Sequence, residues 1–271
     1  MNHLTPVPHR DPRAALAGYH SFPRHFSSTS FQSPFVSSPS CHRPRRVESS
    51  SAVLPELVPN QDGPRRHIQP IETRTYTRMP ELGHIAGGAD GWLNVKAGSG
   101  SQIVALPRYL KIQIDEPRSG RDWFTTTEGS YRGHAFSVTG GYLKIGNPGW
   151  RSSANLEFSV SSQMLSFPGG QVRAITDAGN PVATGTHPIQ IPDFPHEGGA
   201  GYLGRTRYAK TWFYLGRGAA LPGRNDRYLH TGRVSAGCVT VDPSGWTALY
   251  EYLILCRSSD AASVGSLVVR R

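Results

Sequence analysis

The chain has 271 residues, an apolar content of 37%, 30 Gly, 22 Pro and a formal net charge of +10. That length holds one sizeable domain or two small ones, and the abundant Gly and Pro exclude a mainly helical chain in favour of strands and turns. No apolar run is long enough to cross a bilayer as a helix, so a soluble protein with no membrane span is expected. The positive charge suits acidic partners, whether nucleic acid, an anionic surface or a polymer bearing free carboxylates. Nucleic acid is disfavoured by distribution: the basic residues are scattered or sit early, as Arg45, Arg46, Arg65 and Arg66, with no recognition helix or zinc pattern beside them.

In chain order, residues 1–80 form a Ser/Pro/Arg-rich region. Runs such as FSSTSFQSPFVSSPS carry neither strand nor helix periodicity, and the region is expected to be disordered. The opening MNHLTPVPHRDPRAALAGYHSFPRHF is broken by His, Arg and Pro and lacks the apolar core of a secretory signal. Residues 81–150 are expected to be β-rich. DGWLNVKAGSGSQIVALPRYLKIQI (90–114) reads as strand, Gly-Ser turn and strand, and WFTTTEGSYRGHAFSVTGGYLKI (123–145) continues with strands around Gly-containing turns. Leu93, Asn94, Val95 and Lys96 resemble the opening strand of a bacterial SH3-like wall-binding module. The segment is either such a module or part of the sheet that follows.

Residues 151–271 form the last expected unit. LEFSV, QVRAI and THPIQI alternate around PGG and DAGNP turns, as a meander does. The Gly- and Pro-rich loop 192–204 is long enough to be functional. YAKTWFYLG (208–216) reads as an aromatic strand, and YLH (228–230) as the end of another. Asp242 is placed to cap a helix that starts at Pro243, with Trp246, Leu249, Tyr250, Leu253 and Ile254 on one buried face. VGSLVVRR closes the chain as a strand.

The chemistry concentrates in YLHTGRVSAGCVTV (228–241). His230 stands eight positions before Cys238, and Ser235, Ala236 and Gly237 lead into the thiol. A thiol attacks carbonyls as thiolate, and a neighbouring imidazole is the usual means of making one. A glycine beside the nucleophile lets main-chain N–H groups face a developing oxyanion, so Gly237 and Cys238 are expected to supply that hole. The other cysteines, Cys41 and Cys256, give no disulfide framework in a chain of this length. Cys256 is expected to pack at the apolar end of the helix, with a bridge to Cys238 left open as an alternative.

Three stretches of residues 180–270 resemble the L,D-transpeptidase catalytic domain (YkuD-like). They are NPVATGTHPIQI (180–191), YLHTG (228–232) and SAGCVTV (235–241), in the family's order of base before nucleophile. The resemblance implies a mainly β fold, an L,D-transpeptidase-like β-sandwich with one helix after the nucleophile strand. It implies Cys238 as nucleophile, His230 as base, the Thr231 carbonyl as the third element, and Ser235 and Gly237 as the residues that shape the nucleophile turn. Ala236 and Thr240 depart from the family's usual His and Arg or Asn, and the His-to-Cys gap is short. Short-gap versions occur among antibacterial effectors, which act in the cell envelope or periplasm and are matched by an immunity protein. The implied substrate is the peptidoglycan stem tetrapeptide, with a thioacyl intermediate and no cofactor or metal.

Arg224, Arg227 and Arg233 flank the base and are candidates to hold a stem-peptide carboxylate, a solvated face being the equal alternative. His187 is expected to pack or to contact substrate. His196 has Asp193 and Glu197 nearby, but the three share one loop with no second ligand pair at fixed spacing, which favours a polar active-site loop over a metal. The competing class is a non-catalytic cell-wall-binding protein. Papain-like enzymes place Cys before His, and sortases need an Arg after the Cys.

Overall fold

The computed structural model describes residues 80–271. The expected disordered region 1–80, with Cys41, therefore lies outside the described residues except for Pro80. The described chain is mainly β, with two sheets and one α-helix.

Seven strands come first: β1 (Glu81–Ile85), β2 (Trp92–Ala97), β3 (Ile103–Pro107), β4 (Lys111–Ile114), β5 (Asp122–Thr126), β6 (Ala135–Val138) and β7 (Leu143–Ile145). They pair antiparallel in the order β3-β2-β6-β5-β4-β1-β7, and no ladder joins them to the strands that follow. Their alternation turns Val95, Leu106, Ile112, Phe124 and Phe136 into the core.

The second sheet holds β8 (Ala154–Ser159), β9 (Met164–Phe167), β10 (Gly170–Ile175), β11 (Gly185–Gln190), β12 (Phe213–Tyr214), β13 (Tyr228–Thr231), β14 (Val239–Val241) and β15 (Ser263–Arg270). Its order is β11-β15-β8-β9-β10-β14-β13-β12. Two pairs are parallel, β15 with β8 and β13 with β14. In β8 the period-2 pattern is plain: Ala154, Leu156 and Phe158 are buried and the residues between them are exposed. The aromatic strand expected over 208–216 is shorter. Tyr208 adopts a left-handed φ of 60° and its carbonyl accepts from Thr211 N–H, so the chain turns before it pairs at Phe213.

Helix α1 (Pro243–Leu253) starts as expected, with Asp242 accepting from Ser244 N–H and Pro243 at the first helical position, where no donor is lost. Trp246, Leu249, Tyr250 and Leu253 are buried, and the Trp246 indole N–H donates to the Tyr208 carbonyl at 3.1 Å. Cys256 follows, fully buried, and is a free thiol like Cys238, which closes the alternative of a bridge between them.

The two sheets are joined by polar contacts inside an apolar surround. Trp92 Nε1–H donates to Thr211 Oγ1 at 3.1 Å, and Arg108 to the Tyr208 hydroxyl at 3.1 Å. Gly91 lies against Tyr208 and Tyr250, and a Cβ there would fall 2.7 Å from the Tyr250 hydroxyl oxygen. Deepest is an ion pair in which Arg257 Nε–H donates to Glu128 Oε1 at 2.7 Å, the two side chains 5% and 2% exposed. The remaining guanidinium donors go to the carbonyls of Ile254, Cys256 and Tyr109, and Lys111 N–H donates to Glu128. Such a pair is costly to desolvate, and its removal by halves is worse than its absence, because one charge stays buried alone. Glu128→Ala is expected to destabilise the fold by about 3–5 kcal/mol in urea titrations, and the double change Glu128→Met with Arg257→Met by clearly less.

Candidate active site

Strands β13 and β14 run side by side in parallel, with Leu229 opposite Val239, His230 opposite Thr240 and Thr231 opposite Val241. Opposed residues in a pair point to one face, and alternate residues to the other. Leu229, Val239 and Val241 thus enter the core, while His230 and Thr240 share the opposite face. Cys238 stands in the bend just before β14, two residues before Thr240.

His230 is 8% exposed and held on three sides. Its Nδ1 lies 2.8 Å from the Thr231 carbonyl oxygen. A carbonyl only accepts, so Nδ1 carries the proton and Nε2 of the neutral ring carries the lone pair. Nε2 meets the Thr240 hydroxyl at 3.3 Å, with the hydroxyl donating. Trp212 stacks on the ring, centroids 4.2 Å apart and planes tilted by 20°. Burial drives the His230 pKa down to about 4, aided by the neighbouring His196 and opposed by the bond to Thr231. At neutral pH the ring is an uncharged base.

Cys238 is half-buried at the end of the connection from β13 to β14. Burial raises its thiol pKa, against the Tyr228 main chain and the Arg227 charge, which both lower it. No hydrogen bond joins it to His230 among the described residues, since the register puts Thr240 rather than Cys238 opposite Nε2. The resting pair is therefore thiol and imidazole, not thiolate and imidazolium.

The turn before Cys238 is tied from every side. Ser235 Oγ accepts from Gly237 N–H at 3.1 Å and donates to the Cys238 carbonyl at 2.8 Å. Asn180 Nδ2 donates to the Ala236 carbonyl, and the Thr176 hydroxyl to that of Gly237. Tyr202 accepts from Arg233 N–H at the other end. At Gly237 the structure adds a steric need. This residue is buried with φ +124°, its N–H is taken by Ser235, and a Cβ would fall 2.5 Å from the Asn180 carbonyl oxygen and 2.7 Å from Arg227 Cζ. Glycine is required by what lies beneath it.

The remaining candidates disperse. Arg227 is 1% exposed with Nη1 and Nη2 given to Asn225 and Asn180, so it is not open at the surface to a substrate carboxylate. Arg233 and Arg224 are exposed, Arg224 in a surface groove of about 510 Å³ that residues 217–226 line with Arg217 and Asp226. His187 is 5% exposed, and its Nε2 bonds the Ala183 carbonyl at 2.7 Å, which fixes the entry to β11 rather than the site. His196 does reach the site, through aromatic contact: it stacks on Phe194 at 4.3 Å and on Trp212, the ring that also covers His230, at 4.6 Å. Asp193 is 3.7 Å from its Nε2, too far for a hydrogen bond, and Glu197 turns to Lys210 at 2.8 Å. Trp212, Asn180, Thr176 and Tyr202 complete the site. In sequence Asn180 opens the NPVATG stretch, Tyr202 lies in the Gly- and Pro-rich loop and Trp212 in the aromatic segment, but nothing there brings them to the turn before Cys238.

No family model, no curated protein and no solved structure matches this chain. The reading of the site rests on its own geometry and residues.

Two pH dependences follow. Alkylation of Cys238 by iodoacetamide should climb above the ordinary thiol range with no plateau at acid or neutral pH, because neither partner is charged at rest. A buried neutral His230 takes up its proton only on unfolding, so stability should fall as pH drops from 6.5 toward about 4, by up to about 3 kcal/mol. His230→Gln should flatten that part of the pH–stability curve in denaturant titrations.

Proposed function

We propose that this protein is a peptidoglycan-modifying cysteine enzyme of the L,D-transpeptidase type, with Cys238 as nucleophile and His230 as general base. The observation that carries the reading is a histidine with its tautomer fixed by its neighbour's carbonyl, its lone pair turned to Thr240, two residues after a half-buried cysteine. The resemblance of YLHTG and SAGCVTV to that family's base and nucleophile stretches supports it.

In this reading, Nε2 takes the Cys238 proton as sulfur attacks the carbonyl between an L-centre and the terminal D-residue of a stem tetrapeptide. The imidazolium then turns its new N–H toward the Thr240 oxygen or the leaving amine. Because a hydroxyl both donates and accepts, Thr240 serves the base in either protonation state. The Cys238 main-chain N–H steadies the oxyanion, and Gly237 N–H joins it by releasing Ser235; a donor in such a hole is worth roughly 3 kcal/mol. Collapse expels the D-amino acid, which carries off the proton from His230, and leaves a thioester. An amine resolves it to a cross-link or exchanged residue, and water to a trimmed stem. The first sheet fits an SH3-like wall-binding module, and the short base-to-nucleophile gap fits an effector that acts in a target cell's envelope and is answered by an immunity protein.

The test is to incubate the full chain and its Cys238→Ala variant with disaccharide tetrapeptides and a free D-amino acid, and to read products by mass spectrometry. Loss or replacement of the terminal residue is expected with Cys238 intact and is abolished without it. Thr240→Val is expected to slow acylation roughly tenfold, the scale of one hydrogen bond. Unchanged substrate from folded wild-type protein across several wall types would move the assignment to a non-catalytic wall-binding protein.

A further inference from the structure

Arg227 is a cation in an unfavourable place. Its side chain is among the largest that are fully buried, it cannot lose its charge, and no carboxylate lies within 4 Å of it among the described residues. Among the described residues its guanidinium is met by neutral oxygens: Nη1 donates to the Asn225 carbonyl at 2.8 Å, and Nη2 to Asn180 Oδ1 at 2.6 Å and the Asn180 carbonyl at 3.4 Å. Nε is buried with no partner. A buried charge without a counter-ion costs several kcal/mol, whereas an apolar side chain of similar volume would fill the space without that cost. The cation is aimed at one spot. It lies against the Cα of Gly237, where a Cβ would come within 2.7 Å of Cζ and 2.8 Å of Nη2, one residue before the thiol.

We propose that Arg227 is a positioning residue for the nucleophile: held by Asn180 beneath Gly237, it props the turn and supplies the counter-charge for the anion that forms above it. The anion is first the Cys238 sulfur, once its proton has passed to His230 Nε2, and then the carbonyl oxygen of the attacked bond. This rests on Cys238 being the nucleophile. The missing carboxylate is then explained, because a resident anion would quench the charge before the reaction used it. The glycine before the cysteine and the arginine three before the histidine are two halves of one device.

Other ionisable groups near the turn do not take its place. The segments packed on it carry Asp226, Tyr228 and His230 at and before β13, Asp177 on the connection from β10 to β11, Tyr202 against Arg233 N–H, and Arg233 on the turn itself, yet Arg227 is the one whose charge bears on the thiol.

The experiment is the pH–rate profile of Cys238 alkylation by iodoacetamide in the full chain, with folding followed by circular dichroism. Arg227→Met is expected to move the midpoint upward by about one pH unit and slow alkylation about tenfold at neutral pH, while Arg227→Lys recovers most of the loss. Where Arg227→Met does not fold, Asn180→Asp keeps the guanidinium but sets a carboxylate 2.6 Å from Nη2, and is expected to shift the midpoint in the same direction. A folded Arg227→Met or Asn180→Asp protein with the wild-type midpoint would overturn the proposal. A wall substrate does not enter this assay, so failure of the transpeptidase reading and failure of this one are told apart.

Discussion

The candidate site depends on one geometric constraint: β14 must lie parallel to β13 after a connection of only seven residues, 232–238. Parallel neighbours are usually joined through about a dozen residues or more, because the chain has to travel back along the first strand before the second begins. Here the strands are short enough for a tight return, and the return is where the chemistry sits. Every tie on the turn follows from that economy: Ser235 bridging two main-chain groups, Asn180 and Thr176 taking carbonyls from below, Tyr202 taking an N–H from the side. A looser connection would leave Cys238 without a fixed place ahead of β14.

Support for this return comes from both halves of the molecule. Tyr208 links them: its hydroxyl receives Arg108 from the first sheet, its ring stacks on Tyr250 of the helix at 4.0 Å, and its carbonyl accepts the Trp246 indole N–H. Four residues on, Trp212 lies flat on His230. The same short segment thus anchors the first sheet and covers His230. The Glu128–Arg257 pair fixes the other end of the contact between the sheets, beyond the helix that packs under β13.

What could be read from sequence was what is local. The cap at Asp242, the buried stripe of the helix and the closing strand all follow from spacing over a few residues. The partners of those residues did not follow, because they are set by register between distant strands. Nothing near Arg227 announces that it is buried, since its cover comes from Asn180, 47 positions earlier. His196 was weighed as a metal ligand for its acidic neighbours, whereas its place is fixed by two aromatic rings. The seven strands of residues 81–145 show the same limit: alternation marks a strand, but not the sheet to which it belongs.

The packing around His230 also sets what a chemist would see on probing the site with reagents. One ring face is under Trp212, Nδ1 is committed to a carbonyl and Nε2 sits behind a threonine hydroxyl, while the thiol stands half open. Electrophiles directed at imidazoles would pass over His230, and electrophiles directed at sulfur would find a slow cysteine. By labelling alone the protein would look like one with an ordinary thiol and no accessible imidazole.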